Sequence, residues 1–479
     1  MKITAYFFFL ILFISSCQSQ PKTDVVDANL DAVLGDWYGV LKVQGQELRI
    51  VFHINKKEGA YQCTMDSPDQ GATDIPTTAS HFKDNTLVVE IESMKLKYEG
   101  QLSEDGSEIA GTFQQGGASF PLNLSKEKIE KKAQAARPQD PKDFPYQQEE
   151  VKFVNPKGGH QLAGTLTKPE GDKFEKVVIL ISGSGPQNRN EEIASFNHRP
   201  FLVLSDYLTR NGIAVLRYDD RGVGESEGSQ SDATTKDFAD DAAAAVAFLQ
   251  QRADMKGKKI GLIGHSEGGM IAPIVAVENK AVDFIVLLAG PGIPIDQLMH
   301  LQAQKIGDAE GAPKDIQAIN LEVTDAAYKF IRANANLGEK ELADGLYKVF
   351  EQGMKKFPAK TLEEIGEIEP FIKDQVKGIT NKWFLYFIRF NPADYLTKVK
   401  CPVLAINGSL DLQVTAVENL AGIEKALKAA GNKKVTIKNF EGQNHLFQKA
   451  TTGAPSEYAK IEETFNAETL AFIADWLNK

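Results

Sequence analysis

KIGLIGHSEGGMIAPIVAVE, residues 259–278, decides the fold of this chain. KIGLIG (259–264) is an apolar run bounded by glycine, the signature of a strand buried on both faces. GGMIAPIVAVE (268–278) reads as a helix. Between them Gly264-His265-Ser266-Glu267-Gly268 matches G-x-S-x-G, in which two glycines permit a sharp strand-to-helix turn that presents a serine hydroxyl above a sheet. A second match, Gly224-Glu225-Ser226-Glu227-Gly228, has neither flank. It lies in a loop of Gly, Ser, Asp and Glu from about 219 to 235, where a solvated loop serine is the default. Ser266 is therefore the candidate nucleophile.

Outward from this segment the same strand type recurs. VVILIS (177–182), IAVLRY (213–218), FIVLLAG (284–290), VLAIN (403–407) and VTIKNF (435–440) are apolar runs separated by amphipathic helical patterns, and a hairpin (Val151 to Val154, then Leu162 to Thr167) precedes them. This predicts an α/β domain over 149–479, a doubly wound, mostly parallel sheet under helices. Residues 293–402, between the fourth and fifth long runs, are helical in pattern. A crossover needs only about a dozen residues, so the excess predicts an inserted helical cap. WFLYFIRF (383–390) within it is apolar enough to line a pocket or pack on the core.

A serine hydroxyl needs a histidine base, and the imidazole needs a carboxylate to hold its tautomer. After such a turn the order is acid, then histidine. Of seven histidines, His300 and His445 follow Ser266. His300 opens the inserted segment, whereas His445 lies in the loop Gly442-Gln443-Asn444-His445 after the last strand, and is the expected base. Asp411 follows VLAIN and an NGSL turn, at the carboxyl end of a strand where catalytic groups collect in open α/β sheets. Its competitor Asp394 precedes that strand beside Pro392, a position that suits a cap. The oxyanion of acyl transfer needs preorganised N–H donors. One is expected from Glu267 and the other from Ser182-Gly183-Ser184-Gly185-Pro186, with Ser184 first and Gly183 second.

Residues 30–125 differ in character, with period-two alternation such as Leu48, Ile50, Phe52, Ile54 and Leu87, Val89, Ile91, broken by Gly, Asn, Asp and Ser. About seven to nine strands fit, a small all-β barrel or sandwich. Gly35-Asp36-Trp37 resembles the G-x-W opening of lipocalin-like barrels. Residues 126–148, charged and proline-containing, read as a linker. At the other end, Lys2, an apolar run from Tyr6 to Ile14 too short to span a bilayer, and Ser15-Ser16 before Cys17 predict a signal peptide over 1–16. Ile-Ser-Ser-Cys resembles the lipobox of bacterial lipoproteins. That resemblance implies lipidation of Cys17, membrane attachment through it, and a place in the cell envelope facing the periplasm or the cell surface. The other cysteines, Cys63 and Cys401, fall in different predicted domains and are expected to be free, buried thiols.

The 479 residues carry 54 Lys plus Arg against 65 Asp plus Glu, a formal charge of −11, which disfavours nucleic acid as a partner. Gly222-Val223-Gly224 lacks the third glycine of a dinucleotide fingerprint, and the chain has neither a phosphate-binding G-x-x-x-x-G-K-[ST] nor a zinc-binding H-E-x-x-H motif. The expected chemistry needs no cofactor and no metal.

GHSEGG (264–269), the chain order Ser266, Asp411, His445, and RYDDRGVGES (217–226) resemble the α/β-hydrolase superfamily. With SGSGPQNRN (182–190) and the inserted segment, the resemblance extends to EstD-like carboxylesterases and the neighbouring serine aminopeptidase group, over about 149–479. It implies that Asp220 and Arg221 are scaffold, and it fits the leading β domain, which precedes some EstD-like hydrolases. Ser182 stands where many relatives carry histidine. The expected function is hydrolysis of small-molecule carboxylic esters through an acyl-Ser266 intermediate. Two alternatives stand beside it: a peptidase or amidase, for which Glu191 and Glu192 could anchor an amino terminus, and a non-catalytic ligand-binding lipoprotein.

Overall fold

The computed structural model describes residues 30–43, 46–57, 60–70, 72–115, 118–129 and 137–479. The predicted signal segment and Cys17 lie outside these residues. The chain divides into two compact units, the second comprising Ala136–Glu192 and His198–Lys479.

The N-terminal unit contains β1 (Gly35–Val43), β2 (Gln46–Lys57), β3 (Ala60–Ser67), β4 (Ala72–Pro76), β5 (Ala79–Lys83), β6 (Thr86–Ile91), β7 (Leu96–Leu102), β8 (Glu108–Gln115) and β9 (Ala118–Ser125). They form one curled antiparallel sheet in the order β4-β3-β2-β1-β9-β8-β7-β6-β5, a half-barrel in which the last strand returns to pair with the first. β4 and β5 are successive pieces of one stretch. Between them the Thr77 N–H donates to Cys63 O of β3 and the Thr78 N–H to Glu90 O of β6, so the chain turns a corner from one side of the sheet to the other. Alternating inward residues, among them Trp37, Phe52, Ile54, Leu87, Val89 and Tyr98, fill the interior with no exposed surface. The Trp37 indole N–H donates to Val33 O at 2.8 Å, satisfying its one polar atom.

The second unit is built on β10 (Gln147–Asn155), β11 (His160–Lys168), β12 (Lys176–Ile181), β13 (Ala214–Tyr218), β14 (Lys259–His265), β15 (Val282–Leu288), β16 (Val403–Gly408) and β17 (Val435–Phe440). The sheet order is β10-β11-β13-β12-β14-β15-β16-β17. β10, β11 and β13 pair antiparallel, and all later neighbours pair parallel. The continuous apolar runs follow from burial on both faces. In β12, Val177, Ile179 and Ile181 enter one core, while Val178 and Leu180 enter the other. The first core is covered by α2 (Thr235–Gln251), α3 (Gly268–Glu278) and α11 (Ala416–Ala429), the second by α1 (Pro200–Arg210) and α12 (Ala467–Leu477). Thr234 and Asp237 form a reciprocal capping box that starts α2. Between β15 and β16 lie α4 (Ile295–Ala309), α5 (Lys314–Ala333), α6 (Glu339–Met354), α7 (Ala359–Ile365), α8 (Ile368–Thr380), α9 (Lys382–Arg389) and the short α10 (Ala393–Leu396).

Strand order reverses at β12, which has β13 on one side and β14 on the other. The carboxyl ends of β12 and β14 therefore flank a topological switch point, the crevice in which open α/β sheets place ligands. From Arg137 onward, the stretch that reads as linker is bonded to the second unit. Arg137 donates to Thr464 Oγ1 at 3.0 Å and to Glu463 O at 2.9 Å. Cys63 and Cys401 are free thiols; Cys63 is buried and its thiol is pushed up to about 12 by burial, whereas Cys401 is only partly covered.

Candidate active site

Ser266 opens the two-residue turn, Ser266-Glu267, between β14 and the helix α3, with φ 52°. This left-handed backbone costs a non-glycine residue about 1–3 kcal/mol and persists only where its surroundings dictate it. Here the flanking glycines do so. A Cβ on Gly264 would lie 2.0 Å from Gly268 O, and one on Gly268 would lie 2.2 Å from Ile181 O at the end of β12. The Ser266 N–H donates to Leu288 O of β15 at 2.9 Å.

Asp411 follows β16 and His445 follows β17, and the two side chains meet. Nδ1–H of His445 donates to Asp411 Oδ2 at 2.8 Å, with side-chain exposures of 5 % and 0 %. The other oxygen, Asp411 Oδ1, accepts the N–H groups of Gln413 and Val414, each at 2.8 Å. Because Oδ2 can only accept, Nδ1 carries the proton and Nε2 is left as an acceptor. The two loops are tied to each other: the Leu410 N–H donates to Gln443 O, and the Gly442 N–H to Ser409 Oγ, each at 2.8 Å. Asn444 fixes the histidine loop, its Oδ1 accepting from the N–H groups of Leu446 and Gln448. Among the described residues no hydrogen bond joins Ser266 Oγ to His445. Such contacts are commonly long in an unliganded enzyme and tighten around substrate.

The loop after β12 lies against the serine. A Cβ on Gly183 would be 3.2 Å from Ser266 Cβ. The Gly183 N–H is already engaged, donating to Glu191 Oε1 at 2.7 Å. The N–H groups of Ser184 and Glu267 donate to no protein acceptor among the described residues. Ser182 Oγ donates to Asp220 Oδ1 at 3.0 Å, and the Gln187 N–H to Asp220 Oδ2 at 3.1 Å, which fixes both ends of the loop. Asp220 is half-buried, and desolvation raises its carboxyl well above the usual range, helped by the nearby charges of Asp241 and Glu267.

The Glu267 side chain is buried as well. Its carboxylate accepts from Thr235 Oγ1 of α2 at 2.6 Å and from the Trp383 indole N–H of α9 at 3.0 Å. Burial raises this carboxyl, and its polar neighbours pull it back only in part.

The remaining candidates are bound elsewhere. Ser226 Oγ donates to Asp219 O at 2.7 Å and accepts from the Ala163 N–H at 2.9 Å; the loop serine expected to be solvated is thus a buried brace. Arg221 donates to Asp241 Oδ2 at 2.6 Å, within a buried cluster that includes His160 and Asn155. His300 on α4 pairs with Asp325 on α5 at 2.9 Å, and Asp394 lies in the first turn of α10. Glu192 accepts from Asn188 Nδ2 at 3.0 Å, and Glu191 is 6 % exposed. Two residues that the sequence did not assign to the site, His265 and Trp383, are now prominent, and Glu191 takes different partners from those expected. His265 and the Glu267 side chain occupy the two variable positions of G-x-S-x-G, which was the available signal.

Comparison with known proteins places this geometry in context. The family model described as serine aminopeptidase, S33, matches residues 198–336, which include Ser266; that of the prolyl oligopeptidase family matches 361–478, which include Asp411 and His445. Esterase EstD of Thermotoga maritima is 27 % identical over 319 residues, 66 % of this chain and 66 % of that protein. A 31.7 kDa protein from the traX-finO intergenic region of Escherichia coli is 23 % identical over 261 residues, 54 % of this chain and 81 % of its own length. Among solved structures, an esterase of Pyrococcus furiosus aligns over 71 % of this chain and 92 % of its own, with 18 % identity and a TM-score of 0.42. Est1E of Butyrivibrio proteoclasticus, solved with ferulic acid, aligns over 68 % of this chain and 98 % of its own, with 15 % identity and a TM-score of 0.38. The second unit has an α/β-hydrolase fold and resembles the EstD-like esterases, and an all-β half-barrel precedes it in the chain.

Proposed function

We propose that the protein is a serine hydrolase that cleaves carboxylic esters of small molecules through an acyl-Ser266 intermediate. The observation that carries this reading is the buried 2.8 Å hydrogen bond between His445 and Asp411, set beside a serine held at φ 52° on a strand-to-helix turn. His445 Nε2 accepts the serine proton and returns it to the leaving alcohol, while Asp411 holds the tautomer and offsets the imidazolium charge. The N–H groups of Glu267 and Ser184 stabilise the oxyanion. Ser184 is preferred over Gly183 because the Gly183 N–H is already engaged by Glu191. The inserted helices α4 to α9 act as a cap that sets acyl or alcohol size.

Glu191, one candidate anchor for a peptide amino terminus, is buried and bonded to Gly183 and His265, which favours ester over peptide cleavage. The filled interior of the half-barrel likewise leaves the second unit as the seat of function. Cys17 is the lipid attachment point, placing the enzyme in a bacterial envelope; labelled palmitate that enters a Cys17→Ser variant as readily as the wild type would exclude this.

The test is intact-protein mass after exposure to a fluorophosphonate probe, for wild type and Ser266→Ala. Labelling of the wild type alone is expected, followed by faster turnover of an ester than of the amide sharing its acyl group. A folded wild type that takes no label would overturn the serine mechanism, and preferred amide cleavage would transfer the protein to the peptidase reading.

A further inference from the structure

His265, the residue before the nucleophile, is 7 % exposed, and both of its ring nitrogens face acceptors. Nδ1 is 2.9 Å from Glu191 Oε1, and Nε2 is 3.0 Å from the backbone oxygen of His445. A carbonyl oxygen cannot donate, so Nε2 must carry a proton. Glu191 Oε1 also receives the Gly183 N–H at 2.7 Å, the arrangement of an ionised carboxylate collecting two donors. A neutral imidazole has one N–H and serves only one of these acceptors; the other nitrogen would then set a lone pair against an oxygen lone pair in a site closed to water. Such an unsatisfied buried group costs about 1–3 kcal/mol.

We propose that His265 is held as an imidazolium paired with Glu191, and that this ion pair is the clamp that positions the oxyanion loop against the base loop. The reach of the pair supports the role. Through Glu191 it holds Gly183, one residue before the oxyanion donor Ser184. Through its own backbone it adjoins Ser266. Through Nε2 it holds His445 O, and the two imidazole rings lie 4.8 Å apart. Glu191 has φ 50°, so a strained backbone is maintained to deliver this carboxylate.

The titratable groups around His265 are Glu191 from the loop after β12, His445 from the loop after β17, Asp411 from the loop after β16, and His198 ahead of α1. Burial opposes the charge on His265, but the Glu191 charge and hydrogen bond, the bond to His445 O and the Asp411 charge outweigh it and raise its proton affinity. His198 is held neutral by burial, so it adds no competing cation at neutral pH. The inference rests on the serine-hydrolase reading only for the consequence of the clamp, not for the charge.

The experiment is a long-range ¹H–¹⁵N spectrum of the full chain labelled with ¹⁵N-histidine, with the His265 signals identified by their loss in His265→Gln. Two protonated ring nitrogens at pH 7.5 are expected. In Glu191→Gln the ring becomes neutral at that pH, kcat falls about 10–100-fold with little change in KM, and the alkaline limb of kcat moves down by about 1–3 pH units. A residue that served stability alone would lower the melting temperature without moving that limb. One unprotonated nitrogen on His265 in the wild type at pH 7.5 overturns the proposal, as does an unmoved alkaline limb in a folded Glu191→Gln. If that variant does not fold, the wild-type spectrum decides alone. Failure of the serine-hydrolase reading shows separately, as absence of fluorophosphonate labelling, because the spectrum is recorded without substrate.

Discussion

Replacing Asp411 by asparagine changes one atom, and the structure dictates which way the amide turns. Oδ1 receives two backbone N–H groups, from Gln413 and Val414, each at 2.8 Å, while Oδ2 receives Nδ1–H of His445 at 2.8 Å. If the amide nitrogen took the Oδ1 position, two buried N–H donors would lose their acceptor, at about 1–3 kcal/mol each. The oxygen therefore stays with the backbone and the nitrogen faces the imidazole. Nδ1 must then accept, the proton moves to Nε2, and the base has no lone pair for the serine. The active tautomer survives only by paying both lost bonds, about 2–6 kcal/mol, which at 1.36 kcal/mol per decade is a loss of about 30-fold to about 10⁴-fold. The measurement is kcat/KM for a p-nitrophenyl ester at pH 7.5, beside the rate of fluorophosphonate labelling, with near-UV circular dichroism to establish that the fold is kept. A natively folded Asp411→Asn that retains more than a tenth of wild-type activity would refute both the orientation argument and the role of Asp411.

Two further outcomes follow from packing and burial. Gly268→Ala places a Cβ 2.2 Å from Ile181 O and 2.8 Å from Ser182 O, both backbone atoms, so it should destabilise by about 1–3 kcal/mol or more and push the loop after β12 from Ser266; Gly378→Ala on α8, with nothing within 4 Å, should be neutral or stabilising by up to about 1 kcal/mol. Thermal melts of the two variants give the contrast. His198 is held neutral by burial, its proton affinity lowered from 6.5 to about 3. Between those values the unfolded chain binds more protons, so the stability from this residue is whole above about pH 6.5 and declines as pH falls toward 3, by up to about 1.4 kcal/mol per pH unit. His198→Asn should flatten that slope in urea titrations run from pH 7 to pH 4; an unchanged slope would assign the acid sensitivity to other groups.

The parallel sheet was legible because its strands are buried on both faces, so side chains of opposite parity enter two different cores and the run reads as continuously apolar. Val177, Ile179 and Ile181 against Val178 and Leu180 show the cause directly. The half-barrel was legible as alternation, but its corner was not: nothing in Thr77-Thr78 marks a place where successive residues pair with strands on opposite sides. At the site, the positions of Ser266, Asp411 and His445 followed from motif and chain order, and the structure joins the last two directly. The bonds of Glu191 were not legible, because its partners, His265 and Gly183, are brought to it by a left-handed loop residue and by contacts 74 and 8 residues away. Likewise, the Gly183 N–H is engaged by a carboxylate eight residues on, which no local pattern signals. Ser226 looked solvated from its polar neighbours, yet the brace it makes to Ala163 spans 63 residues.

The bond between Trp383 and Glu267 also gives the molecule an optical handle. Of three tryptophans, Trp37 is enclosed in the half-barrel and Trp476 packs beside Phe284 on the far core. Of the three, Trp383 alone shares a hydrogen bond with Glu267, the residue that follows Ser266. Indole emission responds to an adjacent carboxylate and to the loss of an N–H partner, so acylation of Ser266 or a displacement of α9 would register in the intrinsic fluorescence of one identifiable residue, without any added dye.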